Sequence, residues 1–193
     1  VHGRAKFISP NEIEVTKVRG EPERYHASSI VIASGSIPRM PDNIPVDHEN
    51  IFDSDSILTM LYLPRSLTVL GGGVIASEYA SIFQALGVKV TMIDRYPLPL
   101  GFMDADLTST FVESFTEMGG TWLGEKNVTK VEWDGLSQVV THCDDGTVIK
   151  SAKLLCAAGR MANVQDLHLE NAGLSINEMG HISVDEMLQT VVP

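Results

Sequence analysis

Residues 66–76 constrain the fold more than any other stretch of this chain. Five apolar or β-prone residues, Ser66-Leu67-Thr68-Val69-Leu70, run straight into Gly71-Gly72-Gly73. From Val74 the apolar period then switches from two to 3.6, with Ile75, Tyr79, Ile82, Phe83 and Leu86 on one helical face. That order predicts a β-strand that turns through glycines directly into an α-helix. Gly87 is placed to end the helix. Residues 88–93 read as a second strand closed by Asp94, residues 104–118 as a second helix ended by Gly119-Gly120, and residues 121–123 as a third strand. Strand and helix alternating at these lengths predict right-handed βαβ units in a parallel sheet.

The flanks read differently. Residues 127–133, 139–142 and 147–149 alternate like strands, and Asp144-Asp145-Gly146 joins the last two as a hairpin. An apolar strand follows over residues 153–158, ending in Gly159-Arg160. Upstream, residues 5–18 read as two strands around a turn at Ser9-Pro10-Asn11. A turn over 19–24 and an apolar strand over 29–33 follow. Pro38, Pro41 and Pro45 mark an extended crossing, and residues 53–60 form a short helix or turn capped by Asp53 or Ser54. A hairpin, an apolar strand and a small-residue–glycine ending therefore occur twice, before Gly35 and before Gly159. The expected fold is α/β, a Rossmann-like domain with a parallel sheet, helices and a β-meander.

The chemistry lies in Gly71-x-Gly73-x-x-Ala76. Gly71 permits the tight turn, Gly73 lets a pyrophosphate approach the backbone, and Ala76 lets helix lie close on strand. The phosphates would face free amides near Val74 and Ile75, at the positive end of the helix. Asp94, 23 residues past Gly71, stands at the spacing of a ribose ligand. An aspartate there favours NAD, whereas the neighbouring Arg95 suits the extra phosphate of NADP, and the pair leaves both coenzymes open. Glu78 lies one turn into the helix, beside the phosphate-facing end.

Composition removes other classes. Twenty-five acidic and fourteen basic residues give a net charge of −11, which argues against a nucleic-acid partner. A ligand held by backbone amides needs no cationic side chain. Cys143 and Cys156, with twelve residues between them, make neither a disulfide framework nor a zinc site. Asp104, Asp106 and Glu113 lack the rest of a calcium loop, so no metal ligand is assigned, and no nucleophile elbow or phosphate-loop lysine occurs. No apolar run approaches the ~18 residues of a membrane span, and no signal peptide is evident. A cytoplasmic protein with small-molecule dinucleotides as partners is expected, without membrane or nucleic acid. A first residue Val1 and an ending at Val-Val-Pro read as a piece of a longer protein.

Three segments in order, Ile32-Ala33-Ser34-Gly35-Ser36-x-Pro38, Val69-Leu70-Gly71-Gly72-Gly73-Val74-Ile75-Ala76-Ser77-Glu78 and Ala158-Gly159-Arg160-x-x-Asn163, resemble the successive motifs of the flavoprotein pyridine nucleotide oxidoreductases. Residues 51–58, 78–88 and 102–104 most resemble the soluble transhydrogenase branch of that family. The resemblance implies that residues 1–40 are the tail of a first FAD-domain segment, 41–163 the NAD(P)-binding domain, and 164–193 a return toward the FAD domain. It implies that Ile75 lies against the nicotinamide, that Glu78 hydrogen-bonds near it, and that Val128 and Gly159 line the adenine and nicotinamide sides of the pocket. Ala33, Ser34 and Gly35 would touch FAD. The implied activity is hydride transfer between NADPH and NAD through FAD, in a homo-oligomeric parent whose dimerisation domain lies outside these residues. No catalytic side chain is assigned to this chain, which alone is expected to be inactive. Two alternatives stay open: a dihydrolipoamide dehydrogenase or related disulfide reductase, whose Cys-x-x-x-x-Cys pair would lie upstream, and a non-catalytic NAD(H)-binding module.

Overall fold

The computed structural model describes residues 1–192; Pro193, the last residue of the expected return segment, lies outside the described residues. Backbone contacts divide the chain into two units, one built from residues 1–37 together with those from Arg160 onward, the other from Pro38–Gly159.

The first unit begins with an antiparallel meander of Gly3–Ser9 (β1), Glu12–Lys17 (β2) and Glu23–His26 (β3). β3 falls partly where a turn was expected and pairs Tyr25 with Ile13. The expected apolar strand over residues 29–33 does not form. Its alternation is real, since Val31 is exposed while Ile30 and Ile32 half-bury against Phe7, Val164 and Leu169. It has no ladder partner among the described residues, and alternation without a neighbouring strand does not make a sheet strand. Ser36–Pro38 (β4) follows.

The second unit is three layers. Its parallel sheet contains Ile51–Asp53 (β5), Ser66–Leu70 (β6), Lys89–Ile93 (β7), Thr121–Leu123 (β8) and, after an antiparallel meander of Val128–Trp133 (β9), Val139–Cys143 (β10) and Val148–Ser151 (β11), the returning strand Lys153–Cys156 (β12). The strand order is β5-β12-β6-β7-β8. Helices Val74–Ala85 (α1) and Ala105–Glu117 (α2) connect β6 to β7 and β7 to β8. Successive side chains along a strand face opposite ways, and both faces are covered here. Leu67, Val69, Val90, Met92 and Leu155 pack under the helices with Ala76, Ala80, Phe83 and Phe115. Leu70, Ile93, Leu154 and Cys156 pack under the meander with Val131 and Val139. This double burial makes β6 read as a continuous apolar run rather than an alternating one.

Two details differ from expectation. α1 buries only part of its large apolar stripe: Phe83 is buried and Tyr79 packs on the same core, but Ile82 and Leu86 are exposed, and Ala76, Ser77 and Ala80 complete the buried face. Small side chains at Ala76 and Ala80 let the helix axis approach the sheet, and Phe83 packs beside them. The residues 53–60 segment also carries a strand that was not expected, β5, before its single 3-10 turn, Ser56–Thr59. The cap position of that turn is Asp55 rather than Asp53 or Ser54 and carries no side-chain cap bond, while Asp53 Oδ1, just before it, accepts from the amides of Asp55 (2.9 Å) and Ser56 (2.7 Å). Both helices end in the same glycine device. Gly87 and Gly119 take positive φ, and the amide after each reaches back to Phe83 and Phe115 respectively.

The chain re-enters the first unit with Arg160–Ala162 (β13), which pairs with β4, and two 3-10 turns, Gln165–Leu167 and Leu169–Ala172. The internal echo is partial: a three-stranded antiparallel sheet and a positive-φ glycine, Gly35 (φ 75°) and Gly159 (φ 103°), occur in both places, but the apolar strand before the glycine forms only in the second, as β12.

Candidate functional site

The glycine loop sits where the sheet changes direction. From β6 the chain moves outward through β7 and β8, then returns to the other side of β6 as β12. In an open parallel sheet the carboxyl ends of strands on either side of such a reversal leave a crevice. β6 ends there in Gly71, whose amide donates to Ile93 O of β7 (2.8 Å), and the Ala157 amide beside it donates to Leu70 O (2.8 Å).

The three glycines have different jobs. Gly71 takes φ +117°, and a Cβ there would lie 2.5 Å from Ala157 O, so only glycine fits the close approach of β6 and β12. A Cβ at Gly72 would meet the Trp122 ring at 3.0 Å and Asp94 Oδ2 at 3.2 Å. Gly73 is different: its backbone is extended, φ −79° and ψ −178°, and a Cβ would meet nothing within 4 Å. It borders open space at the N-cap of α1. Helix geometry leaves the amides of Val74, Ile75 and Ala76 without intrahelical acceptors, the first such bond running from the Ser77 amide to Gly73 O (3.0 Å). The first turn carries no acidic residue. Glycine, open space and unpaired amides together suit an anionic group at this point.

Beside the loop is a cavity of about 710 Å³ lined by Gly72, Gly73, Asp94, Thr108 and the segment from Tyr96 to Met103. Asp94, at the end of β7, points over Gly72. Its Oδ1 accepts from the Tyr96 amide (3.0 Å). The Leu100 amide donates to Gly72 O (2.6 Å), tying the far wall of the cavity to the glycine loop. The Tyr96–Met103 wall was absent from the sequence reading. Its signal was there in the prolines 97 and 99 between two regular elements, a composition that forbids a helix or a central strand and marks a shaped loop.

The structure brings together Gly71, Gly73, Val74, Ile75, Asp94 and Arg95 at this edge of the sheet, with Glu78 exposed one turn along α1. Gly159 follows β12 on the opposite side of β6, with its carbonyl accepting from the Arg39 amide (3.0 Å). Val128 stands apart. It opens β9, its side chain packs on the cluster under the meander, and its carbonyl accepts from Asn43 Nδ2 (3.0 Å). Ala33, Ser34 and Gly35 belong to the first unit. There the Ser34 and Gly35 carbonyls accept from the Asn163 side chain (3.2 Å) and amide (3.0 Å). Ala33 is exposed and the space beside Gly35 is open.

The thiols take no part. Cys143 and Cys156 are free and buried on β10 and β12, and burial pushes both above the usual thiol range, away from the nucleophilic thiolate. Among the described residues no group of three or more His, Cys, Asp or Glu could hold a metal ion, and no helix is long and apolar enough to cross a membrane.

Comparison with known proteins covers the whole chain. Residues 1–193 match the model of the pyridine nucleotide-disulphide oxidoreductase family. Soluble pyridine nucleotide transhydrogenases are among the curated relatives. That of Pseudomonas putida (strain GB-1) is 38% identical over 99% of this chain, and that of Colwellia psychrerythraea is 36% identical over 100%. The chain spans 41% of the length of each. Similar solved structures include the HOCl-induced flavoprotein disulfide reductase RclA from Escherichia coli (29% identity, TM-score 0.88) and LpdA from Mycobacterium tuberculosis (26% identity, TM-score 0.90). Each is matched over 100% of this chain and 43% of its own.

Proposed function

The chain belongs to the pyridine nucleotide-disulphide oxidoreductase family, and on that premise we propose that its Pro38–Gly159 unit binds NAD(P) for a flavoprotein that transfers hydride between NADPH and NAD. The observation that carries the reading is the contrast within the glycine loop. Gly71 is required by the protein's own backbone, whereas Gly73 faces open space that the fold does not use. A pyrophosphate there would receive the amides of Val74 and Ile75 at the positive end of α1, each charge-assisted bond contributing about 1.5–3 kcal/mol.

The remaining roles follow from the sheet order. The adenosine half would lie toward β7, where Asp94 can accept from ribose hydroxyls and the Tyr96–Met103 wall shields the base. The nicotinamide half would lie across β6, toward Ile75, Glu78 and Gly159. The protein's contribution is to hold that ring fixed and exclude water, so that transfer occurs from an aligned pair. In the first unit Ala33, Ser34 and Gly35 would lie against FAD, and an exposed Ala33 with open space at Gly35 fits that contact. FAD, when bound, supplies the two-electron relay between the two coenzymes.

Identities of 36–38% to soluble transhydrogenases support that branch. The resemblance to RclA and LpdA favours a disulfide reductase as the second reading. The buried thiols of this chain do not supply its redox pair, which would have to lie elsewhere in the polypeptide. The deciding experiment uses a flavin-loaded protein of the relatives' length. It measures hydride transfer from NADPH to a spectrally distinct NAD analogue, with dihydrolipoamide oxidation alongside. Rapid coenzyme-to-coenzyme transfer is expected; rapid thiol oxidation with poor transfer overturns the transhydrogenase reading and leaves the dinucleotide site standing.

A further inference from the structure

Arg95 and Tyr96, side by side after β7, stand in unequal relation to the cavity. Tyr96 lines it; Arg95 does not. The Arg95 guanidinium lies over the Tyr96 ring, 4.8 Å from its centroid, and its Nη2 donates to the Tyr96 hydroxyl (3.0 Å). The arginine that follows Asp94 is thus engaged on the aromatic wall.

The backbone under Tyr96 is held from three directions. Its amide donates to Asp94 Oδ1 (3.0 Å), its carbonyl accepts from the Glu125 amide (3.2 Å), and the next carbonyl, of Pro97, accepts from Trp122 Nε1 (2.8 Å). Gly124 is packed so closely that a Cβ there would lie 2.6 Å from Pro97 O. The backbone of Tyr96 is therefore fixed, and the exposed Arg95 side chain rests on a Tyr96 ring that is itself 56% exposed.

We propose that Tyr96 is a specificity-determining positioning residue, a rest for Arg95 that lets one pocket accept two coenzymes. The proposal rests on the dinucleotide reading of this cavity. With Arg95 on the ring, the pocket presents Asp94 alone, which accepts hydrogen bonds from an unmodified ribose. NADH enters without disturbing the pair. NADPH carries a 2′-phosphate that Asp94 repels, so it binds with the arginine lifted from Tyr96 and turned to the phosphate. The exposed cation–π contact with its hydrogen bond then handicaps NADPH relative to NADH by about three- to fivefold. A permanently extended arginine would favour NADPH outright, and no arginine would weaken it. A weak rest keeps both within range, as a protein that exchanges hydride between the two requires.

The test titrates NADH and NADPH, by nucleotide fluorescence, into the wild-type protein and into Tyr96→Phe, Tyr96→Ala, Arg95→Ala and the Tyr96→Ala/Arg95→Ala double variant. Because Tyr96 also lines the cavity, its loss can weaken both coenzymes; the informative quantity is the ratio of the two Kd values. Tyr96→Ala is expected to move that ratio about three- to fivefold toward NADPH, with Tyr96→Phe between it and wild type. The salt dependence of NADPH binding should steepen as Arg95 is released. In the absence of Arg95, loss of Tyr96 should leave the ratio unchanged. A ratio unmoved in Tyr96→Ala, or moved toward NADH, overturns the proposal while the dinucleotide site stands. If wild type binds neither coenzyme, the proposal and the dinucleotide reading fall together.

Discussion

Gly71 and Gly73 are two residues apart and should fail in opposite ways. At Gly71 an alanine meets two penalties. A φ of +117° strains an L residue by about 1–3 kcal/mol. Its Cβ at 2.5 Å from Ala157 O must also push apart two paired strands, a further 1–3 kcal/mol. Gly71→Ala should therefore cost about 3 kcal/mol and lower Tm by about 6–12 °C at this chain length. At Gly73 a valine has an ordinary φ and open space, so only the preference for glycine at an N-cap is lost, about 1 kcal/mol or less. Its branched side chain would, however, occupy the place of the pyrophosphate. Losing two charge-assisted amide bonds, about 3 kcal/mol or more, weakens NADH at least roughly a hundredfold. Calorimetry on both variants, with NADH titrated into each below its Tm, separates the effects. A Gly73→Val protein that keeps wild-type affinity would remove the glycine loop from the functional argument. A Gly71→Ala protein that melts within about 2 °C of wild type would refute the steric reasoning.

Three further outcomes follow from single sites. Asp94→Ala should weaken NADH more than NADPH and Arg95→Ala the reverse, checked by paired titrations; unchanged preference in both places specificity elsewhere. Thr141, fully buried on β10 between Val131 and Ile149, has a hydroxyl with no hydrogen-bond partner among the described residues. Thr141→Val should stabilise by about 1 kcal/mol and raise Tm by about 2–4 °C, whereas a lower Tm would show that the hydroxyl is satisfied in solution. Asp47 precedes β5 and Asp53 ends it. Burial works against ionisation of both, but amide donors at Glu49, Asn50 and Ile51 outweigh it for Asp47, and bonds from Ser56 and Asp55 with nearby His48 do so for Asp53. Both carboxyls therefore lie below the usual range. Their contribution is complete above the unfolded-state value of about 4 and is lost as pH falls through the lower folded-state values. In the Asp47→Asn/Asp53→Asn double variant, urea midpoints should fall less steeply below about pH 4 than in wild type.

What could be read from the sequence was local. β6, the glycine loop, α1 and β7 announce themselves because the apolar period changes within eleven residues and glycines mark both ends of the helix. What was missed depends on distant partners. Ile51–Asp53 is too short to declare itself, and it is a strand because Ile51, Phe52 and Asp53 pair with Leu154, Leu155 and Cys156. Residues 29–33 have strand alternation but no ladder partner among the described residues. The face of α1 is only partly the one that hydrophobicity picks out: Phe83 and Tyr79 pack on the core, but Ile82 and Leu86 give way to Ala76 and Ala80, because a helix packed on a sheet is limited by clearance, which small residues provide.

The same division runs through the site. A chain of net charge −11 can offer a place to an anionic ligand because the groups that face it are backbone amides, whose donors do not appear in a count of lysines and arginines. Such a place is legible where the amides belong to consecutive residues, as at Gly73, Val74 and Ile75. Gly159 is 86 residues from Gly73 and reaches the same edge of the sheet only because β12 returns beside β6 rather than continuing past β8. Nothing in residues 153–159 dictates that return; β12 is equally apolar wherever it pairs. The cover on each side of the sheet dictates it. The helix-side residue Leu155 and the meander-side residues Leu154 and Cys156 must both be buried, and the gap between β5 and β6 is the position with paired strands on both sides. The reversal that opens the crevice is thus a consequence of burying a two-faced apolar strand, and the site inherits its position from the core.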